Sequence, residues 1–593
     1  MLNRLEALIR RFAAPLSLLA VLAAAFVAPY FGPTDPDSAL FRSGSLSFLL
    51  LFALVFPVKK AVSAQPLRAL FYGAGFAYVL MLCIGLGCEL EFYGGLLPGM
   101  GALVRRFAAP ALITPALAAP LSFVFTFVPK MDSGKKPIPF AAFFLTLLAS
   151  YALILLALYP GVISYDFEHE IAQFTSGAYN AAHPVFHTLL LGSLFALGEA
   201  LFGSMTAGAA LYHAVQLLLL AALYAWALCF VQKRVCRPAV LLLFAMFALL
   251  PFHGVLAVST AKDPLFAGLC AVLCLLLWEI AEDPASFLAS RVRIVRFVLC
   301  CLGAILLRHN GVFAYGLALI AVVILCRRQI RRALLVALAA LLLCAGVPKA
   351  LELSVNASKT PGSELMSIPC QQLMRTAARA ELSEEEYEEI AVWYSGAIHR
   401  YRENCADPAK GGNFDYARFK KEPVDFLRLY VRHLIRHPRI YAEAFLENSI
   451  GLWYPGDTSH AHTLSSEEGV YIYLNTRYPF TPERYPIEPK CLFPALEGLL
   501  YETMHHSEHE NIPVLAQLYC PATYTFALLL ASLLAFYKKR RRLVLPLLPM
   551  WGLTLSIFFA AGVFVRYTYP MMAAVPMLVA LVLSQNGAKD VSA

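Results

Sequence analysis

The sequence predicts an all-α polytopic membrane protein with about 14 transmembrane helices, juxtamembrane helices on the outer surface and a mostly helical exported domain. The first observation is composition: of 593 residues, 59% are apolar and 15% are charged, and the mean hydropathy is +0.64. Such a chain is too apolar to be water-soluble and long enough for many spans. The second observation is that basic clusters separate the apolar runs in the pattern that membrane topology requires.

Apolar runs that approach the length of a bilayer crossing recur along the chain. A transmembrane helix needs about 20 mostly apolar residues, and somewhat fewer where neighbouring helices help. Runs of this kind lie at 13–31, 45–57, 67–88, 108–128, 138–159, 205–231, 238–257, 264–281, 296–308, 311–326, 331–348, 521–537, 543–563 and 567–585. The runs at 45–57 and 296–308 are the shortest.

Basic clusters test this series, because a wrong span would move every later loop to the other side of the membrane. With these spans all of the clusters share one side: Arg10-Arg11, Lys59-Lys60, Lys135-Lys136, Lys233-Arg234-Arg237, Arg291-Arg293-Arg296, Arg327-Arg328-Arg331-Arg332 and 538–542. That side is the cytoplasm, so we expect a multi-pass cell-membrane protein with both termini inside. The clusters also account for the net charge of +9. They suit anionic membrane lipids, and we expect no nucleic-acid partner.

The basic clusters share one side of the membrane only if the apolar run 185–202 does not cross the bilayer. If it crossed, the basic stretch 232–237 would face outward, and Glu199 would lie in hydrocarbon at a cost of about 2.5 kcal/mol or more. We therefore predict that this run lies along the outer membrane surface. Residues 160–204 then form one outer loop.

The local pattern of the loop agrees with that position. Pro160-Gly161 ends the preceding helix, and Phe167, Ile171 and Phe174 recur at helical spacing beside acidic residues. This pattern is typical of an amphipathic helix at a membrane interface.

The chain divides into four predicted parts. Residues 1–128 hold extra transmembrane helices, 129–348 form a transmembrane core that includes the outer loop, and 521–593 hold the last helices and a cytoplasmic tail. The segment 349–520 is polar and long enough for its own fold. Helical patterns run through 382–403 and 422–449.

Four cysteines lie in the exported segment, and an even number in an oxidising compartment is compatible with disulfides. Sequence proximity favours Cys370–Cys405 and Cys491–Cys520. Four cysteines allow three pairings, and four thiols are the alternative if the host forms few exported disulfides.

The stretch YPGVISYD at 159–166, followed by HPVFHT at 183–188, resembles the GT-C superfamily of integral-membrane glycosyltransferases, which includes the protein O-mannosyltransferases and the aminoarabinose transferases. More closely, it resembles an uncharacterised bacterial membrane-protein family related to that superfamily. Three short stretches fit the resemblance: STAKD at 259–263, LRHNG at 307–311 and RYTYP at 566–570. The resemblance covers about 160–330 and, more loosely, the last spans. Residues 1–128 have no counterpart in it.

The resemblance implies transfer of a sugar from a polyprenyl phosphate, which needs a base for the acceptor proton. We predict Asp166 as this base, because it follows the helix stop and can face a cavity at the membrane surface. The alternative is that Asp166 caps the helix that begins at Phe167. The mannosyltransferases carry two adjacent acids here, whereas this chain has Glu168 and Glu170 further on, so the second acid stays open; Glu168 is the candidate.

Cations are needed to hold the departing phosphate. Arg566, Arg308 and Lys262 each lie at the predicted outer end of a span, where topology does not require a basic residue. Their alternatives are snorkelling to the headgroups and, for Lys262, an ion pair with Asp263.

Two histidines of the outer loop complete the candidate site. His183, which opens the His-Pro motif, and His187 could position acceptor or phosphate or relay a proton. Local capping and packing is the alternative for both.

The sequence shows no metal site or nucleotide-binding motif. In HHSEHE at 505–510, His505 and His509 have the spacing of zinc helices, but no HExxH motif or cysteine pair accompanies them. No cofactor is therefore assigned, and a divalent cation stays open. Because no nucleotide-sugar domain appears in the short cytoplasmic loops, the expected donor is lipid-linked.

These expectations combine into an outward-facing glycosyltransferase that uses a polyprenyl-phosphate-linked sugar to modify a glycan or protein of the cell envelope. The alternatives are a transporter or flippase of lipid-linked glycans and a non-catalytic envelope assembly protein. A transporter should show polar residues at mid-span and inverted repeats, and neither is clear in the sequence.

Overall fold

The computed structural model describes residues 73–78, 80–81, 84–85, 136–164, 166–359, 366–395, 397–410, 413–455, 472–473, 485–504 and 513–584. The predicted spans at 13–31, 45–57 and 108–128, most of 67–88 and the motif at 505–510 lie outside these residues. Each later predicted span, from 138–159 onward, coincides with a helix or with two consecutive helical segments.

Most helices between residues 140 and 354 are apolar, and several are long. Up to residue 354 the elements are α1 (Phe140–Ala157), β1 (Ile163–Ser164), α2 (Phe167–Ser176), α3 (Val185–Phe202), α4 (Met205–Val231), α5 (Arg237–Leu249), α6 (Pro251–Ala257), α7 (Asp263–Glu282), α8 (Pro284–Ala289), α9 (Arg291–Leu307), α10 (Gly311–Leu325) and α11 (Ile330–Ser354).

Shorter helices follow, and three apolar helices end the described chain. They are α12 (Ser367–Arg379), α13 (Glu384–Ala391), α14 (Asp407–Lys410), α15 (Tyr416–Lys421), α16 (Pro423–Arg436), α17 (Pro438–Asn448), α18 (Ile450–Trp453), β2 (Ile472–Tyr473), α19 (Pro494–Met504), α20 (Pro513–Tyr519), α21 (Pro521–Tyr537), α22 (Leu548–Phe558) and α23 (Val565–Ser584). Within the described residues, the antiparallel pair β1–β2 is the one sheet.

The all-α class is confirmed, and the apolar helices confirm a membrane protein. Six helices of the described part are long and apolar enough to cross a membrane: Phe140–Ala157, Val185–Phe202, Met205–Val231, Asp263–Glu282, Arg327–Ser354 and Val565–Ser584. The pair α5–α6, bent by 55°, would be a seventh. The total of about 14 spans stays a prediction.

Helix α3, predicted to lie on the surface, has the length and composition of a span, but both of its ends pack on the first part of α4. Its first turn contacts α4 through His187 and Tyr212. Near its last turn, a Cβ at Gly198 would lie 2.5 Å from the Cα of Gly208, so only glycine permits this approach. The other end of α4 is held by Gln232, which exchanges two hydrogen bonds with the backbone of Ile138. The surface position of α3 stays a prediction.

The outer position of 160–204 can be tested by cysteine accessibility. Ser204 and Lys233 flank α4 and are both exposed, so a cysteine at either position can react. With a membrane-impermeant maleimide on intact cells, we expect Ser204→Cys to be labelled and Lys233→Cys only after lysis, because the basic cluster is predicted to face the cytoplasm. Labelling of both from the same side would contradict the predicted topology.

Residues 366–455, here called the helical domain, have a hydrophobic core of their own. Leu373, Tyr394 and Phe426 are buried in it. Beside this core the fully buried Arg375 pairs with Glu447 at 2.5 Å and Glu443 at 3.1 Å. A buried charge this well paired ties α12 to α17.

The favoured disulfides do not form. Cys370, Cys405, Cys491 and Cys520 all remain thiols. The alternative of four thiols is therefore the one that the structure has.

Candidate active site

The loop after α1 is held against the residues before α7 by backbone hydrogen bonds. Val162 N–H donates to Val258 O at 2.8 Å, and Thr260 N–H donates back to Val162 O at 2.9 Å. Gly161 adopts a φ of +120°, and a Cβ there would collide with the His213 ring, so the turn requires glycine. This pairing brings the two segments that carry Asp166 and Lys262 side by side.

Asp166 lies between two cations. Its Oδ2 accepts from Lys262 Nζ at 2.9 Å and from Arg566 Nη1 at 3.0 Å. Arg566 is the second residue of α23, and the Lys262 and Arg566 side chains are 6% and 4% exposed. Asp166 occupies the N-cap position of α2, but its side chain makes no capping hydrogen bond. The structure therefore disfavours the helix-cap interpretation.

Glu170, one turn further along α2, is 1% exposed and starts a buried hydrogen-bond chain. Its carboxylate accepts from His187 Nδ1 at 2.6 Å and lies 3.4 Å from Lys262 Nζ. His187 Nε2 contacts the Tyr212 hydroxyl at 2.9 Å, and that hydroxyl donates to Gln216 Oε1 at 3.0 Å. Gln216 is fixed because its amide nitrogen donates to two backbone carbonyls of residues 257 and 259.

This chain fixes the orientation of the His187 ring. Its Nδ1 lies against the Glu170 carboxylate and its Nε2 against the Tyr212 hydroxyl, so both ring nitrogens have a polar partner.

His183 is the neutral member of the site. Lys262 Nζ donates to its Nδ1 at 2.9 Å. Burial, followed by the charge of Lys262, lowers the pKa of His183 to about 4. Its loop is held by His309 Nε2, which donates to Ala181 O at 3.1 Å.

A second ion pair borders this network. Arg308, which follows α9, pairs with the buried Asp263 at the start of α7. The Tyr567 ring lies 4.4 Å from the Arg308 guanidinium and 5.1 Å from that of Arg566. This aromatic face holds the two arginines close together.

The carboxylates of the network are held ionised. Burial alone would raise the pKa of Asp166, but the charges of Arg566 and Lys262 outweigh it and hold the pKa well below its ordinary value. For Glu170, burial is likewise outweighed, chiefly by His187 and Lys262, and the pKa falls to about 2.

Six of the seven predicted site residues therefore meet: Asp166, His183, His187, Lys262, Arg308 and Arg566. Glu168 does not, and this placement is a correction. It is partly exposed, and within the described part of the chain it contacts none of the six. Glu170 takes its place because it lies four residues after Asp166 and so on the same helix face. That spacing was the signal in the sequence. Asp263 was expected as the alternative partner of Lys262 and pairs with Arg308 instead, and Tyr212 gave no signal.

The two glutamates should differ in their effect on stability. We expect Glu170→Gln to lower the free energy of unfolding by about 1–3 kcal/mol, because it leaves the buried Lys262 and His187 side chains without the carboxylate that they contact. Glu168→Gln is the matched control and should change stability by less than about 0.5 kcal/mol. Thermal unfolding of the detergent-purified proteins measures both, and equal effects would contradict the assigned roles.

The Glu170 contribution should depend on pH in a defined direction. The pKa of Glu170 in the folded protein is about 2, below the ordinary value of 4.5. Its contribution to the free energy of unfolding is therefore complete above pH 4.5. The difference between wild type and Glu170→Gln should therefore shrink as pH falls from about 5 towards 2.

In the described residues, no group of three or more His, Cys, Asp or Glu side chains could hold a metal ion. Asp166 and Glu170 are both neutralised by basic side chains. A divalent cation at these oxygens would first have to displace Lys262 or Arg566.

An apolar groove of about 710 Å³ is lined in part by residues that neighbour the cluster in the chain. Phe186, Leu265 and Leu307 line it, and each lies next to or within two residues of a cluster member. Its lining also includes Phe140, at the start of α1, and residues of α9 from Arg296 to Leu307. The groove therefore follows α9 from Arg296 to its last residue.

Comparison with known proteins gives one family. The family described as "Family of unknown function (DUF6020)" matches residues 165–592. No curated protein and no solved structure matches the chain. The matched region begins one residue before Asp166 and contains every residue of the cluster.

Proposed function

We propose a function for this chain, which belongs to the family of unknown function DUF6020, from the chemistry of its buried cluster. It is an integral-membrane glycosyltransferase of GT-C type. It transfers a sugar from a polyprenyl-phosphate-linked donor to a glycan or protein of the cell envelope. The cluster faces the outer side of the cell membrane, and both termini lie in the cytoplasm.

The observation that carries the proposal is the charge of the cluster. Among its described residues are three cations, Lys262, Arg308 and Arg566, which face the carboxylates Asp166, Glu170 and Asp263. Three cations are therefore gathered in a buried place, where a phosphate can replace a carboxylate as their partner. A sugar joined to a lipid by one phosphate is a phosphodiester with one negative charge, and guanidinium groups match its oxygens.

The groove supports a lipid as the carrier of that phosphate. Its lining is almost wholly apolar, and three of its residues, Phe186, Leu265 and Leu307, lie within two positions of His187, Asp263 and Arg308 in the chain. A prenyl chain in the groove would bring its phosphate towards these residues. The hydrophobic chain supplies the affinity and the cations supply the orientation.

The proposed reaction forms a bond between an acceptor oxygen and the anomeric carbon of the sugar, and breaks the bond from that carbon to the phosphate oxygen. The acceptor proton passes to Asp166, which acts as general base. The electron pair of the broken bond stays on the polyprenyl phosphate. Arg566, Lys262 and Arg308 stabilise the charge that develops there.

Donor binding would also activate the base. In the structure Asp166 pairs with both Lys262 and Arg566, which hold its pKa low. A carboxylate with so low a pKa is a weak base. A phosphate that draws Lys262 and Arg566 to itself would relieve Asp166 of part of this charge. The pKa of Asp166 would then rise towards a value useful for accepting a proton.

Mass spectrometry of a deletion strain beside wild type tests the proposal. We expect one envelope glycan to lose a sugar while the matching polyprenyl-phosphate sugar accumulates. Accumulation of a lipid-linked glycan on the cytoplasmic face alone would favour a flippase. Unchanged glycans and lipid-linked sugars would favour an assembly protein.

A further inference from the structure

The position of Arg566 depends on the loop that precedes α23. This loop, residues 559–564, joins α22 to α23, and Arg566 follows it by two residues. A shift of the loop therefore moves the guanidinium that contacts Asp166.

The helical domain holds this loop by its backbone. Asn448 Nδ2 donates to Ala560 O at 2.9 Å, and Ala406 N–H donates to Ala561 O at 2.5 Å. Cys405 forms an antiparallel bridge with Gly562. Consecutive carbonyls of the loop are thus satisfied by one domain, and Asn448 is the side chain that contributes.

Side-chain packing reinforces these hydrogen bonds. Leu452 is fully buried and packs with Ile557, near the end of α22, and with Val563 of the loop. Tyr567, whose ring contacts both arginines of the site, packs against the same three hydrophobic residues. The domain therefore reaches the arginines through the backbone of the loop and through Tyr567.

Asn448 is itself fixed to the core of the domain. It is 1% exposed and ends α17, directly after Glu447, which pairs with the buried Arg375. A group anchored in this way transmits the position of the domain to the loop, because packed cores deform little.

From these contacts we infer that the helical domain is a positioning module for the donor site, with Asn448 as a positioning residue for Arg566. The inference rests on the proposed function, since it assigns the phosphate to Arg566. Docking of the domain sets the affinity for the donor phosphate, and loosening it weakens that affinity while the groove stays intact.

The test measures binding of farnesyl phosphate, a short polyprenyl phosphate, to the purified full-length protein, with farnesol as the ligand that lacks the phosphate. Asn448→Ala should weaken farnesyl phosphate binding about three- to tenfold, the worth of one hydrogen bond. Farnesol binding should not change. Leu452→Val, a milder change in the same contact, should act in the same direction.

A double-mutant cycle separates positioning from general destabilisation. In an Arg566→Ala background, Asn448→Ala should cause no further loss of affinity, because the guanidinium it positions is gone. Gln372→Ala is the matched control: its amide donates to Tyr441 O at 3.0 Å inside the same domain, away from the loop. It should lower the melting temperature and leave the affinity unchanged.

The outcomes are distinguishable. Normal affinity in Asn448→Ala and Leu452→Val, or additive losses with Arg566→Ala, would overturn the inference while leaving the proposed function in place. Equal binding of farnesyl phosphate and farnesol by the wild type would overturn both.

Discussion

Asp166→Asn is expected to leave a membrane-inserted protein that binds its lipid donor but turns it over about a hundredfold or more slowly. Asparagine has nearly the same shape, and its carbonyl oxygen can still accept from Lys262 and Arg566. An amide cannot take the acceptor proton. The loss therefore falls on the chemical step.

The same variant should bind the donor at least as tightly as wild type. Asp166 occupies the two cations in the structure, so it competes with the donor phosphate for them. Replacing the carboxylate by a neutral amide removes this competitor. An increase in affinity together with a loss of turnover is a combination that a helix cap or a packing role does not produce.

The measurement is transfer of labelled sugar by the purified protein, with donor binding measured in parallel. Glu168→Gln serves as the control, because Glu168 lies on the same helix without contacting the cluster, and its activity should be near that of wild type. Full transfer activity in Asp166→Asn would remove the catalytic assignment and strengthen the transport and assembly alternatives.

Arg566→Ala is expected to weaken donor binding by about ten- to a hundredfold, since a charge-assisted contact to phosphate is worth roughly 1.5–3 kcal/mol. Arg308→Ala should act in the same direction, and it also leaves the buried Asp263 without its partner. Arg566→Lys should retain part of the affinity, because lysine keeps the charge and loses the planar fork.

Titration of the purified variants with farnesyl phosphate gives these affinities. Arg428→Ala is the control, since Arg428 is 73% exposed on the helical domain and pairs only within its own helix in the described structure. It should bind as wild type does. If both Arg566→Ala and Arg308→Ala bound the donor as tightly as wild type, the alternative that these arginines contact lipid headgroups would be favoured.

Much of the fold could be predicted from the sequence because apolar runs and basic loops are local signals. The predicted span 205–231 and helix α4 have the same bounds, as do 521–537 and α21. Helix α3 shows the limit of such signals. Its composition is that of a span, and its contacts with α4 through His187 and Gly198 could not be predicted from composition.

The site was predictable residue by residue but not as an arrangement. Isolated cations at the outer ends of spans identified Lys262, Arg308 and Arg566 without showing that Arg566 meets Asp166 across 400 positions. The choice between Glu168 and Glu170 depended on which face of α2 is buried. The docking of the helical domain on the 559–564 loop depended on backbone contacts that carry no signal in the sequence.

The measurement that tests the central claim most directly is the fate of the donor in vitro. Polyprenyl-phosphate sugars extracted from the deletion strain are incubated with the purified protein and an envelope acceptor fraction, and the lipids are followed by mass spectrometry. The account predicts that wild type consumes one such lipid and releases polyprenyl monophosphate as the acceptor gains the sugar, whereas Asp166→Asn does not. A wild-type protein that leaves every lipid-linked sugar intact, or an Asp166→Asn protein that consumes it equally fast, would contradict the account.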